Sequence, residues 1–127
     1  MLKSGRINAY IPASDVERAR SFYEATIGLV PKQVEENGVT YECAGGTIVF
    51  LYLSAGAGTS SASCAFWDVA DVEAEVTELK RRGVVFEEYD MPGVKTQNSI
   101  SVGGGAKAAW FKDTEGNIMA IVQSLEA

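Results

Sequence analysis

The sequence predicts a single α+β domain made of two tandem β-α-β-β-β modules. Asp-Val-Glu opens a helical pattern at residues 15–17 and again at residues 71–73. In both places an apolar-rich segment precedes the helix, and short strand-like segments separated by glycine-containing turns follow it. A chain of 127 residues is long enough to bury one core. We therefore expect one domain over residues 1–127, with a first module at 1–54, a linker at 55–62 and a second module at 63–127.

The first module begins with a predicted strand at residues 6–13. Ser14 and Glu17 have the spacing of a capping box, which predicts the start of a helix, and Gly28 predicts its end. Strands are predicted at 30–35, 39–44 and 47–53, joined by hairpin turns at 36–38 and 44–46.

The second module repeats this order from a predicted strand at residues 61–70. Asp71 is the expected N-cap of its helix, Glu78 and Arg82 form an i,i+4 pair, and Gly83 ends the helix. Strands are predicted at 84–89, 107–111 and 117–123. The glycine-rich segment 91–105 is an insertion, for which a functional loop and a solvated loop are equally compatible with the sequence.

Composition excludes several classes of function. The chain has no histidine, which rules out Ser-His-Asp and Cys-His catalysis and any histidine-based metal site. A net charge of −6 without a basic patch disfavours nucleic acid as a partner. No apolar run approaches the roughly 20 residues that span a bilayer, and the first residues lack the apolar region of a signal peptide. We expect a cytoplasmic protein.

Two segments carry a resemblance to a known family. FYEATIGL at residues 22–29 and WFKDTEGNIMAIVQ at residues 110–123, within paired β-α-β-β-β modules, resemble the vicinal oxygen chelate superfamily. That superfamily includes glyoxalase I, extradiol dioxygenases, and the fosfomycin- and bleomycin-resistance proteins. The resemblance covers nearly the whole chain. It implies a curved mixed sheet around a cavity, and it implies a homodimer because members of this size commonly pair.

The resemblance also implies where a metal would be bound. Members that hold a metal place one ligand on the first and one on the last strand of each module. Counting from the helix caps and the last turns, these positions fall on Asn8, Phe50, Cys64 and Ala120. None is a histidine or a carboxylate, and phenylalanine and alanine offer no donor atom. We therefore expect no metal and no cofactor. A register shifted by one residue would instead bring in Glu42 or Asp68.

The alternation of side chains in the predicted strands separates a core face from a ligand-binding face. The core face is almost wholly apolar, whereas the other mixes aromatic, polar and small residues, as a small-molecule cavity does. Trp110 lies beside the insertion, where it either covers the cavity or joins the core. The expected ligand-binding residues are Asn8, Tyr10, Phe50, Tyr52, Cys64, Phe66, Asp68, Trp110 and Ala120.

Three functions remain open at this point. The first is a metal-free protein that binds a small aromatic or cationic ligand, as bleomycin-resistance proteins do. The alternative is a glyoxalase-, lyase- or dioxygenase-like enzyme of the same superfamily, for which Asp68 and Tyr10 are the candidate catalytic residues. Cys64 has no neighbouring base in the sequence pattern to activate it and is expected to be inert. A third option is an interaction module whose cavity is filled by side chains.

Overall fold

The computed structural model describes residues 1–125, and its first module forms a four-stranded mixed sheet. The strand order is β1-β4-β3-β2, with β1 parallel to β4 and the other neighbours antiparallel. Helix α1 follows β1 and continues as a π-helical turn over Phe22–Ile27. The elements are β1 (Ala9–Ala13), α1 (Val16–Ser21), β2 (Pro31–Glu35), β3 (Gly38–Glu42) and β4 (Ile48–Leu53), with short 3-10 turns at Leu2–Ser4 and Ala44–Gly46.

The second module repeats this sheet. Its order is β5-β10-β9-β8, with β5 parallel to β10. The elements are β5 (Ser63–Asp68), α2 (Val72–Arg81), β8 (Ser101–Gly103), β9 (Ala106–Lys112) and β10 (Ile118–Ser124), and the hairpin strands are β6 (Asp90–Met91) and β7 (Val94–Lys95). Neither α1 nor α2 is long and apolar enough to cross a bilayer within residues 1–125.

The helix starts differ in one detail from the prediction. Asp15 and Asp71 are the N-caps, and their carboxylates accept hydrogen bonds from the amides three residues later. The predicted capping box of Ser14 and Glu17 is wrong, because the Ser14 hydroxyl donates to Glu115 instead. Both helices end as predicted, at glycines with a left-handed backbone: Gly28 has φ 94° and Gly83 has φ 94°.

The core side of both sheets was predicted well. Ile11, Leu51, Met119 and Ile121 are buried and belong, with the helix residues that cover them, to one hydrophobic cluster. Two expected members are exposed. Ile7 is 98% exposed because β1 begins only at Ala9, and Leu53 is exposed at the end of β4. The two sheets therefore share a single core on their helix-bearing sides.

The fourth strand of the second sheet is not where the sequence predicts it. Against β9, residues 84–89 make only an isolated bridge between Phe86 and Phe111, in which the Glu87 amide donates to the Trp110 carbonyl. The ladder on the rest of that edge of β9 comes from β8, which lies inside the predicted loop 91–105. The outer edge of β9 is thus divided between two segments.

A buried polar cluster ties the last turn to the first module. The Asp113 carboxylate accepts hydrogen bonds from the Tyr23 hydroxyl at 2.6 Å and from the Asn117 side-chain amide at 2.9 Å. The same Asn117 amide donates to the carbonyl of Pro12, and its oxygen accepts from the amide of Gly58 in the linker. Burial and the Asp113 charge raise the pKa of Tyr23 strongly, so its phenol stays protonated and keeps donating.

Glu115 forms a second tie between the modules. Its side chain is 0% exposed, and its carboxylate accepts hydrogen bonds from the Ser14 hydroxyl, the Asp15 amide and the Arg18 guanidinium. The Nε–Oε2 distance to Arg18 is 2.8 Å. Together the two ties fix the start of α1 against the turn between β9 and β10.

Candidate functional site

The face of the first sheet opposite the core carries a cluster of three aromatic rings. Tyr10 on β1 lies directly across from Phe50 on β4, and Tyr52 is two residues further along the same strand. The ring centroids are 4.9 Å apart for Tyr10 and Tyr52, and 5.9 Å apart for Tyr10 and Phe50. Phe50 and Tyr52 are nearly parallel, with 8° between their planes. Tyr10 is 65% exposed, so the cluster is open to solvent. We call this side of each sheet the open face.

Gly38 on the neighbouring strand β3 leaves space for the ring of Phe50. A Cβ at Gly38 would lie 2.5 Å from Cζ of Phe50 and 3.1 Å from the Leu51 carbonyl oxygen. The tip of the Phe50 ring therefore occupies the space that a side chain at residue 38 would need.

Beside the rings is a hollow of about 420 Å³, lined by Asn8, Tyr10, Phe50, Thr40 and Ile48, with Ala9 at its edge. The structure thus brings together three of the predicted site residues, Asn8, Tyr10 and Phe50. Strand alternation also puts Ile48, two residues before Phe50, on this face. Thr40 was missed, although it pairs directly with Phe50 across the β3–β4 ladder.

The open face of the second sheet carries a separate aromatic group. Phe66 on β5 and Trp110 on β9 flank Ala120 on β10, each directly across from it in the ladder. Ala120 is buried between them, and Phe66 is 61% exposed. Tyr89, which the sequence did not single out, packs edge-on against Trp110 with centroids 5.5 Å apart. Burial, followed by the charge of Glu87, raises the pKa of the Tyr89 phenol.

Cys64 does not join the open face as predicted. It is the extra residue of a β-bulge: Ser63 pairs with Ile118 and Ala65 with Met119, so Cys64 has no partner of its own. Its Sγ lies 3.4 Å from Sδ of Met119, a core residue. The bulge breaks the alternation on which the prediction rested. Cys64 is exposed, and partial desolvation raises the pKa of its thiol.

Asp68 is also separated from the aromatic cluster. It lies at the end of β5 and lines a different hollow, together with Ile27, Leu29 and Glu75. Tyr10 lines the hollow on the first sheet and does not line this one. The two candidate catalytic residues therefore belong to different sites within one chain.

The four positions implied for a metal do not fit one. The positions are equivalent in the two modules. In the first, Asn8 lies two residues before Tyr10, the ladder partner of Phe50. In the second, Cys64 lies two residues before Phe66, the ladder partner of Ala120. A neutral amide, a phenyl ring, a thiol packed on Met119 and a methyl group are a poor donor set for a divalent ion. Within residues 1–125 no three His, Cys, Asp or Glu side chains cluster in a way that could hold a metal. Glu42, the other acid considered, pairs with Lys32 at 3.0 Å.

Comparison with solved structures places this fold among known ones. The protein resembles a glyoxalase/bleomycin resistance protein/dioxygenase from Alicyclobacillus acidocaldarius, with a TM-score of 0.69 and 16% identity over 94% of this chain and 91% of the other. It resembles a lactoylglutathione lyase from Agrobacterium tumefaciens, with a TM-score of 0.66 and 18% identity over 94% and 93%. It also resembles TnmS3, an antibiotic binding protein from Streptomyces sp. CB03234, with a TM-score of 0.58 and 24% identity over 91% of each chain.

Sequence comparison gives the family. No curated protein sequence matches the chain. The family model described as the glyoxalase/bleomycin resistance protein/dioxygenase superfamily matches residues 5–121, which include both modules and confirm the resemblance seen in the sequence. The chain belongs to the glyoxalase/bleomycin resistance protein/dioxygenase superfamily.

Proposed function

We propose that the protein binds a small, flat aromatic molecule on its open faces without the help of a metal. The observation that carries this proposal is the solvent-exposed cluster of Tyr10, Phe50 and Tyr52 beside a hollow of about 420 Å³. Aromatic rings that are exposed and already arranged edge-to-face offer a large contact area at a low cost in conformational entropy. A stacking ligand would bury them.

The polar groups around the cluster suit a ligand that forms hydrogen bonds. Asn8 and Thr40 line the hollow, and the Tyr10 hydroxyl is part of the same surface. All three are uncharged and can both donate and accept. The chain carries a net charge of −6, so a neutral or cationic ligand is favoured over an anionic one.

The open faces also support a homodimer. Tyr10 and Phe66 keep 65% and 61% of their surface exposed, so each aromatic group presents one ring to solvent. A second copy that placed its second sheet over the first sheet of its partner would bring the two aromatic groups together. The ligand would then lie between subunits, with Trp110 and Phe66 on one side and the Tyr10 cluster on the other.

The comparison with TnmS3, whose name describes an antibiotic binding protein, supports a binding role for this architecture. Sequestration of a ligand needs only affinity, so it requires neither a metal nor a catalytic base. The alternative is an enzyme, as in the lactoylglutathione lyase of the same fold. An acid–base route through Tyr10 and Asp68 is less well supported, because the two residues line separate hollows.

Fluorescence can test the binding proposal, because the chain has only two tryptophans. In a Trp67→Phe variant the remaining Trp110 reports on the open face of the second sheet. We expect acridine, a flat tricyclic probe, to quench Trp110 with a saturating curve. Tyr10→Leu should weaken binding roughly two- to ten-fold, the effect of losing one aromatic contact. Val34→Leu, an exposed apolar position outside the open face, is the matched control. Because Trp110 meets the Tyr10 cluster only across the dimer proposed above, unsaturable quenching would contradict that arrangement. Equal affinity in the Tyr10→Leu variant would contradict binding at the cluster.

Metal analysis separates binding from metal-dependent catalysis. The protein would be dialysed against Zn²⁺, Mn²⁺, Ni²⁺ or Fe²⁺ and then against buffer, and its metal content measured. We expect no stoichiometric ion. A tightly held ion at one per chain would favour the enzyme.

Sedimentation of the wild type and of a Tyr10→Glu variant tests the dimer, since a charge placed in the covered aromatic surface should shift the protein to monomer.

A further inference from the structure

A second hollow, of about 240 Å³, opens on the core side of the molecule at the junction of the two modules. Trp67 and Phe111 form one wall, with their rings 6.2 Å apart and 12° from parallel. Ile27 and Leu29, which follow α1, and Leu79 of α2 complete the apolar surface. Phe111 is fully buried, so the hollow reaches down to the core.

Two carboxylates lie at this apolar hollow. Asp68 ends β5, and Glu75 lies in the first half of α2. Within residues 1–125 neither side chain has a hydrogen-bond or ion-pair partner. Every other lining residue is apolar. The hollow therefore combines an apolar wall with uncompensated negative charge.

Neighbouring cations are already engaged. Arg82 comes near the hollow, where its guanidinium donates to the carbonyl of Thr26 at 3.0 Å, but it is paired with Glu78 at 2.8 Å. Lys107 is paired with Glu73 at 2.6 Å. Neither residue lines the hollow.

We propose that this hollow binds a small organic ammonium ion, with its apolar or aromatic body against Trp67 and Phe111 and its ammonium group between Asp68 and Glu75. The charge of the two acids selects a cation, and the apolar wall selects a cation that carries hydrocarbon. A volume of about 240 Å³ lies below the roughly 300–1,000 Å³ of sites for drug-sized ligands, so the ligand is an amine with a single ring or a short branched chain. This site is separate from the open faces and does not depend on the function proposed for them.

A Trp110→Phe variant makes Trp67 the only tryptophan. Trp67 also lines another hollow, beside Ala65 and Met119, so the Leu29→Phe variant described below assigns the response to this one. Three probes of similar shape differ in charge: 2-phenylethylammonium, 2-phenylethanol and 3-phenylpropionate. We expect saturable changes in Trp67 emission with the ammonium, affinity several-fold weaker for the alcohol, and no saturation with the carboxylate.

Variants then test the two acids. In the Trp110→Phe background, Asp68→Asn and Glu75→Gln should each weaken binding of the ammonium roughly two- to five-fold, as expected for partly solvated charge pairs. Asp90→Asn and Glu36→Gln change exposed acids that lie away from the hollow and should leave binding unchanged. Leu29→Phe fills the hollow, and it should abolish binding while thermal unfolding stays cooperative.

Equal affinity for the ammonium and the alcohol would overturn the proposal, and so would unchanged binding in the Asp68→Asn and Glu75→Gln variants. Trp67 emission that never responds to the ammonium would also overturn it. Because the acridine experiment follows Trp110, either site can fail while the other stands.

Discussion

Replacing Glu115 with glutamine should lower the free energy of unfolding at neutral pH. It should have little effect in strong acid, where the wild type has lost the same stabilisation. The pKa of the buried Glu115 carboxyl falls from a usual value near 4.5 to about 2, mainly because the Arg18 guanidinium donates to it, with smaller contributions from the Asp15 amide and the Thr114 and Ser14 hydroxyls. A lowered pKa means that the folded protein favours the ionised carboxylate. Its stabilisation is therefore complete above about pH 4.5 and is lost as the pH falls through about 2.

The size of the effect follows from the same pKa values. A fall from 4.5 to about 2, at about 1.4 kcal/mol per pH unit, corresponds to about 3 kcal/mol at neutral pH. The Arg18 side chain is 51% exposed, so water screens part of this interaction, and about 2 kcal/mol is the better expectation. Glu115→Gln should lower the free energy of unfolding by that amount at pH 7, and the difference from wild type should approach zero near pH 2.

Urea unfolding at pH 7, 4 and 2.5 measures this difference. Glu78→Gln is the matched control, because hydrogen bonds from Arg81 and then Arg82 also lower the pKa of Glu78 to about 2, but on the surface of α2. That exposed pair should contribute little to stability. If both variants lose the same stability at every pH, burial of Glu115 is not the cause and the reasoning is refuted.

Three further substitutions test the ties between the modules and one helix cap. Gly58→Ala should lower the free energy of unfolding by about 2–3 kcal/mol, measured by heat or urea, because Gly58 has φ 73° and the new Cβ would clash with the backbone of the last turn. Gly93→Ala, at φ 86° in open space, should lower it by only about 1 kcal/mol. Equal losses in the two variants would contradict the clash. Tyr23→Phe should cost about 1–3 kcal/mol, because the buried Asp113 carboxylate loses its shortest donor; an unchanged unfolding midpoint would show that water replaces the hydroxyl. Asp71→Ala should cost about 0.5–2 kcal/mol by removing the cap of α2, measured by circular dichroism during heating, and a loss in Asp71→Asn as large as in Asp71→Ala would argue against capping.

Much of the fold could be predicted because local signals agree with tertiary packing. The Asp15 and Asp71 starts and the Gly28 and Gly83 ends depend only on residues within a turn of each helix. The core face could be predicted because strand alternation decides it wherever the ladder is regular. Ile11 and Leu51 illustrate this on neighbouring strands.

The failures occur where pairing partners are distant in sequence. Residues 84–89 are rich in valine and aromatic residues, as strands are, but their pairing with β9 ends at Glu87. The edge is completed by β8, which has only three residues. The bulge at Cys64 is invisible in the sequence, because it arises from a register shift against Ile118 and Met119, more than 50 residues away. Ser14 has the spacing of a capping residue, but its hydroxyl donates to Glu115, which is 101 residues further along the chain and gives no local signal.

The candidate site was likewise predicted only where it depends on regular strand alternation. The aromatic face of the first sheet was predicted from strand alternation in a register set by the family resemblance, and Tyr10, Phe50 and Tyr52 do lie together. The separation of Asp68 from Tyr10 was not predicted, since it depends on how the two modules pack. Tyr89 was missed because it lies outside any regular strand.

The tie made by Asp113 and Asn117 has a consequence for biosynthesis. When the first module leaves the ribosome, the residues that must accept from Tyr23 and donate to Pro12 have not yet been made, since those bonds span 90 and 105 positions of sequence. The Asp15 amide, next to the start of α1, likewise lacks its acceptor until Glu115 has been made. The nascent first half therefore emerges with unsatisfied polar groups and an uncovered apolar surface, and we expect the two halves to acquire their structure in one late step, after the final turn has been synthesised.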